Sequence, residues 1–297
     1  MVIEQLEGVI AFPVTPFADD LSLDVAALRR NVQAILRHPV AAIVAAGGTG
    51  ELYSLTPSEH LAVVSAIVDE AKGRIPVIAG TGFGAALGVQ LAQQAAGAGA
   101  WGILAFPPYY PQADDDGLLA YYRAIASATP LGLIIYSRDW FHPSPEFVAR
   151  LAEIRTLVAW KDGQGDIRRL QAIMQRVGSR LHWIGGAGDD LVPAYYALGI
   201  RAFTSSVANV APAIALQLHT AASNGDSAQL QRLMREYVVP LYALRGRRRG
   251  YEVTVMKALM DRVGLAGGRV RPPLAELSSQ DAADVLALVP RWLESGT

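Results

Sequence analysis

The chain has 297 residues, is 52% hydrophobic and 18% charged, and carries a formal net charge of −1, a balance that excludes bulk disorder and nucleic-acid binding by overall charge. It has no cysteine, which excludes thiolate metal sites, disulfides and a cysteine nucleophile. Residues 1–8 show no basic flank before an apolar run and no later stretch reaches membrane-spanning length, so a cytoplasmic protein with neither membrane nor nucleic-acid partners is expected.

In chain order, short apolar runs closed by Gly, Pro or polar residues fall at 9–15, 41–46, 76–80, 101–106, 131–136, 157–161, 181–185 and 202–206. Their spacing of roughly 20 to 35 residues is that of a βα unit, and their near-continuous apolarity fits strands covered on both faces. Between them, segments at 24–36, 57–72, 145–154 and 167–177 carry apolar residues three and four apart and read as helices. Thr56-Pro57-Ser58-Glu59 has the form of a capping box with proline at the first helical position, and Ser144-Pro145 repeats the cap and proline. After the eighth run, helical patterning continues over 212–222, 227–244, 252–263 and 279–293.

These units predict an α/β fold: a (β/α)8 TIM barrel over 1–210 with a C-terminal helical extension over 211–297 packed on it. The complete G-x-G-x-x-G from Gly97 to Gly102 leaves a helix and precedes a strand. That is the wrong context for a dinucleotide and disfavours an open doubly wound sheet. The arginine-dense run 245–249 reads as a solvated or subunit-facing helix end. The five histidines have no paired metal-ligand spacing, and no metal or cofactor is expected.

In such barrels the chemistry sits at the C-terminal ends of the strands. Among three lysines, Lys72, Lys161 and Lys257, Lys161 alone ends an apolar run. Strand alternation puts Leu157, Ala159 and Lys161 on one face. If that face is the barrel interior, desolvation favours the neutral amine and makes it a nucleophile toward carbonyls. The alternative is an ion pair with a buried acid, for which Asp189 or Asp190 is better placed than Asp162. Tyr136 ends the neighbouring fifth run, about 4.8 Å away across the sheet. Its phenol can shuttle protons to whatever Lys161 binds; a core tyrosine bonded to the backbone is the other reading. Gly47-Gly48-Thr49-Gly50-Glu51 follows the second run. Its backbone N–H groups and the Thr49 hydroxyl can cradle a carboxylate, while a simple tight turn would also account for the glycines. Glu51 is read as structural, since an acid there opposes an anion.

These residues, with Phe12-Pro13-Val14-Thr15-Pro16-Phe17, Pro107-Pro108-Tyr109-Tyr110 and Lys161-Asp162-Gly163, resemble in order and spacing the pyruvate-dependent class I aldolase and dehydratase superfamily. That superfamily includes dihydrodipicolinate synthase and N-acetylneuraminate lyase. The resemblance implies a (β/α)8 barrel with a helical extension, a homotetramer, Lys161 as Schiff base and Tyr136 as proton relay. Gly48 departs from the synthase and lyase patterns, which place a hydroxyl residue there, so a relay from Tyr136 toward Tyr110 lacks its middle member. Whether Tyr110 serves its own or a neighbouring site stays open. Phe141 stands where the synthases carry an arginine for a second carboxylate. Ser137-Arg138-Asp139 and the run from Lys161 to Asp166 are similar instead to the 5-dehydro-4-deoxyglucarate dehydratase subgroup.

That similarity implies a decarboxylating dehydration of a keto-deoxy sugar diacid without metal or cofactor. Gly48 and Thr49 would hold the proximal carboxylate, and Arg138, with Ser205, Ser206 and Asn209, the distal one. An ion pair of Arg138 with Asp139 or Asp162 is the alternative for that side chain. A retro-aldolase on a 2-keto-3-deoxy sugar acid is the second functional expectation, and a non-catalytic keto-acid binder the third.

Overall fold

The computed structural model describes residues 6–294; residues 1–5 and 295–297, which belong to the predicted N-terminal segment and the ends of the two predicted units, lie outside the described residues. Eight parallel strands close into a barrel in sequence order. They are β1 Gly8–Ala11, β2 Ala42–Ala45, β3 Val77–Phe83, β4 Gly102–Pro108, β5 Gly132–Ser137, β6 Leu157–Asp162, β7 His182–Gly185 and β8 Ala202–Ser205. Between successive strands lie α1 Val25–Ile35, α2 Pro57–Ala71, α3 Ala85–Gly97, α4 Asp115–Ser127, α5 Pro145–Leu151, α6 Ile167–Val177 and α7 Val192–Ala197. The protein is thus a (β/α)8 TIM barrel, as the spacing of apolar runs predicts, and C-terminal helices follow it. Among the described residues no helix is long and apolar enough to cross a membrane.

The helix starts follow their sequence signals. The Thr56 hydroxyl accepts from the Glu59 N–H at 3.2 Å and the Glu59 carboxylate from the Thr56 N–H at 2.9 Å, closing the capping box at α2. The Ser144 hydroxyl accepts from the Phe147 N–H at 3.1 Å at the start of α5. Strand β1 stops at Ala11 instead of running to residue 15, because Pro13 and Pro16 have no N–H for a ladder.

One irregularity in the sheet sets the chemistry. Leu133 pairs with Leu157 but Ile134 pairs with Ala159, so Val158 is skipped and Tyr136 comes to stand opposite Lys161. Without the slip Lys161 would face Ser137. Opposed residues of paired strands share a face, so the bulge puts the amine and the phenol together. The other face of β6 carries Trp160, which packs on Phe141, itself against Tyr122 of α4 and Phe147 of α5. Aromatic packing on the helix side therefore turns Lys161 inward.

After β8 come α8 Pro212–Ser223, α9 Ser227–Leu233, a π-helical turn Met234–Val238, α10 Val239–Arg245, α11 Tyr251–Arg262 and α12 Ser279–Glu294. The single helix expected over 227–244 is broken by this π turn. Pro240 has no N–H to give, and the Glu236 carbonyl four residues back accepts from Arg291 Nη1 at 2.8 Å. The break leaves Tyr242 and Arg245, one turn apart on α10, turned toward the barrel mouth.

Candidate active site

At the C-terminal ends of the strands a cavity of about 290 Å³ is lined from β2 by Gly48 and Thr49, from β5 by Tyr136 and Arg138, and from β6 by Lys161. Thr204 and Ser205 of β8, Ser206 just after it and Asp189 after β7 continue its wall, and α10 adds Tyr242 and Arg245.

Lys161 is 2% exposed. Its Nζ donates to the Gly186 carbonyl at 2.9 Å and lies over the Tyr136 ring, 3.2 Å from the centroid. Among the described residues it forms no ion pair. Asp162 on the opposite face accepts from the Tyr195 hydroxyl at 2.7 Å and from the Gln164 and Gly165 N–H groups, and Asp189 is engaged elsewhere. Burial, then the positive charge of Arg138, pushes the amine well below lysine's ordinary value, with Asp162 opposing weakly. A neutral amine at neutral pH is a nucleophile. The Tyr136 hydroxyl donates to the same Gly186 carbonyl at 3.4 Å, and burial raises its own pKa. The phenol therefore holds its proton and can pass it on.

Two glycines make this approach possible. A Cβ on Gly186 would lie 2.5 Å from Lys161 Nζ, and one on Gly163 would lie 2.3 Å from the Tyr136 ring. These are distances at which Lys161 and Tyr136 must move. The Lys161-Asp162-Gly163 motif thus has a steric reason for its third member.

Gly48 and Thr49 sit at the cavity wall, where the Gly47 and Gly48 carbonyls accept from the Leu52 and Glu51 N–H groups and close the turn. A side chain at 48 would meet Arg138 Nη1 at 3.1 Å, so the guanidinium borders the space a hydroxyl residue would need. Glu51 adopts φ 53° and is buried in an ion pair with Lys257 of α11, Oε1 to Nζ 2.5 Å. It holds the loop to the C-terminal helices and takes no part in the cavity.

Of the distal-carboxylate candidates, the structure brings Arg138, Ser205 and Ser206 to the cavity and does not bring Asn209 there. The Asn209 amide accepts from the Val14 N–H at 2.9 Å and donates to the Phe12 and Ser206 carbonyls at 2.7 and 3.0 Å. It staples the exit of β1 to that of β8, with both N–H donors used. Arg138 is committed to Asp139 at 3.0 and 3.3 Å. Ser205 donates to Asp189 Oδ1 and accepts from the Ala208 N–H. Tyr110, at φ 72° in the loop after β4, is 89% exposed and outside the cavity.

Strand-end reasoning missed the wall from α10. The run 245–249 is not a uniformly solvated helix end: Arg245 Nη1 donates to the Ser206 hydroxyl at 2.8 Å and its guanidinium stacks 4.3 Å from the Tyr242 ring centroid, while Arg247 pairs with Asp281 and Asp284. The signal available was the i, i+3 spacing of Tyr242 and Arg245 just after Pro240. Among the described residues no group of three or more His, Asp or Glu side chains is arranged to hold a metal ion.

This constellation, an unpaired strand-end lysine beside a phenol in a barrel mouth, agrees with what relatives show. The model of the dihydrodipicolinate synthetase family matches residues 5–291, and the chain belongs to that family and is a lyase. More particularly, it is 41% identical over 285 residues to a probable 5-dehydro-4-deoxyglucarate dehydratase of Bradyrhizobium diazoefficiens, covering 95% of this chain and 91% of that protein. A protein of the same description from Saccharopolyspora erythraea is 42% identical, with 95% and 92% covered. Among solved structures, dihydrodipicolinate synthase from Oceanobacillus iheyensis superposes with a TM-score of 0.93 at 29% identity, covering 98% of each chain. The Acinetobacter baumannii enzyme complexed with pyruvate gives 0.89 at 28% identity, over 97% of this chain and 99% of that one.

Proposed function

We propose that this lyase dehydrates and decarboxylates 5-dehydro-4-deoxyglucarate to 2,5-dioxopentanoate, carbon dioxide and water through an imine on Lys161. The observation that carries the imine is the buried, carboxylate-free Lys161 amine sharing the Gly186 carbonyl with the Tyr136 phenol. The relatives' descriptions support the choice of substrate.

Numbered from the keto end, the neutral Lys161 amine attacks the second carbon of the six-carbon diacid, and loss of water gives a protonated imine. The positive nitrogen acidifies the third-carbon methylene. Removal of a proton there gives an enamine, whose electrons expel the hydroxyl on the fourth carbon. Tyr136, whose hydroxyl shares the Gly186 carbonyl with the amine, delivers and recovers these protons. The resulting conjugated iminium accepts the electron pair of the bond to the distal carboxylate, releasing carbon dioxide. Tautomerisation and hydrolysis return the lysine. Gly48 and Thr49 hold the proximal carboxylate at the end of β2, and Arg138 keeps the amine neutral from beside Tyr136.

The direct test supplies a keto-deoxy sugar diacid and follows carbon dioxide and pyruvate together. Stoichiometric carbon dioxide without pyruvate supports the reading; pyruvate without carbon dioxide makes the protein an aldolase. As the resemblance implies, the protein is taken to act as a homotetramer in the cytoplasm, with exposed Tyr110 available to a neighbouring subunit. Sedimentation velocity reads that state.

A further inference from the structure

The distal end of a six-carbon diacid needs a cation, and the cavity offers two arginines. Arg138 already spends two of its donors on Asp139. Arg245 differs. Among the described residues no carboxylate lies in ion-pair range of it, its Nε–H is buried without a partner, and its one hydrogen bond goes to the Ser206 hydroxyl.

A buried guanidinium donor left unmade is costly and is ordinarily satisfied in a native structure. The side chain is also held ready. Its guanidinium carbon lies over the Tyr242 ring, 4.3 Å from the centroid, and the Tyr242 hydroxyl is pinned by donating to Asp189 Oδ2 at 2.9 Å and accepting from the Asp189 N–H at 2.6 Å. Asp189 itself is tied to Ser205. A stacked guanidinium with open donors suits planar recognition of a carboxylate. It lines the same cavity as Gly48 and Thr49, from beside Ser206 at the end of β8, two strands round the barrel from β2, so a diacid held at one end on the β2 loop has Arg245 within the same cavity for its other end.

We propose that Arg245, carried to the barrel mouth by α10 and oriented by Tyr242, Asp189 and Ser206, binds the substrate's distal carboxylate and selects diacids over monoacids. This rests on the six-carbon 2-keto diacid reading of the site and extends it to the residue that sets the substrate class.

The test uses two ligands that cannot dehydrate: 2-oxoadipate, and 2-oxohexanoate, which has the same length without the distal carboxylate. Calorimetry on the full chain is expected to show tighter binding of 2-oxoadipate. The preference should fall roughly 10- to 100-fold in Arg245→Met and in Arg245→Gln, the scale of a lost charge-assisted hydrogen bond. Arg245→Gln keeps a donor for Ser206, so it reads the charge even where the Met variant folds poorly. Arg247→Met, on the surface pair with Asp281 and Asp284, should leave the preference intact. No preference in the parent chain, or a preference that survives both Arg245 variants, overturns the proposal. Pyruvate release in place of carbon dioxide would defeat the proposed reaction instead, and the calorimetric comparison would still decide the role of Arg245.

Discussion

Two lysines are buried here to nearly the same depth, Lys161 at 2% and Lys257 at 1% exposure, with opposite surroundings. Lys257 has Glu51 at 2.5 Å and the Arg269 carbonyl at 2.6 Å. Burial lowers its pKa, and the Glu51 charge opposes that fall. Lys161 has a carbonyl, an aromatic face and a positive neighbour, and its pKa drops well below the ordinary value. A compensated buried cation holds structure together, whereas an uncompensated one is driven neutral and becomes reactive.

The sharpest way to break this contrast is to remove each amine. Lys161→Met should abolish turnover and at the same time stabilise the fold. The folded-state pKa of Lys161 lies below its unfolded value of about 10.4, so between the two the unfolded chain binds the extra proton and stability rises with pH. The thermal midpoint of Lys161→Met should therefore exceed that of the parent at pH 7, by an amount that shrinks toward pH 10. A parent as stable as the variant at pH 7 would contradict a depressed amine. Tyr136→Phe should lower kcat about 10²- to 10⁴-fold, while borohydride still traps a keto acid on Lys161. Loss of trapping with loss of turnover would make the phenol a structural support.

Lys257→Met should cost about 3–5 kcal/mol in urea unfolding, because Glu51 is left buried without its counter-charge. The double change with Glu51→Gln should recover part of that loss, and simple additivity would deny the coupling. Arg138→Met should have the smallest effect on rate and a specific one on pH. Removing a positive neighbour raises the Lys161 pKa, so the acid limb of kcat/KM moves to higher pH. A limb that stays or moves down would assign the depression to burial alone.

Much of the architecture was readable because each strand is an apolar run with a marked end, and Lys161 and Tyr136 were readable because strand ends point at the barrel mouth. Their opposition was expected from two neighbouring runs ending together, but the skipped Val158 that brings it about leaves no trace in alternation. Asn209 looked like a substrate donor by position, yet backbone groups of β1 and β8 occupy its amide. Arg245 was hidden for a different reason. It belongs to a helix, and only the π turn before α10 and the stack on Tyr242 bring it to strands some 40 residues earlier.

The contrast between the two lysines is tested most directly by borohydride reduction in the presence of 2-oxoadipate, followed by peptide mass spectrometry. The adduct should sit on Lys161, with none on Lys257 or Lys72. An unmodified Lys161, or an adduct on Lys257, would contradict the account.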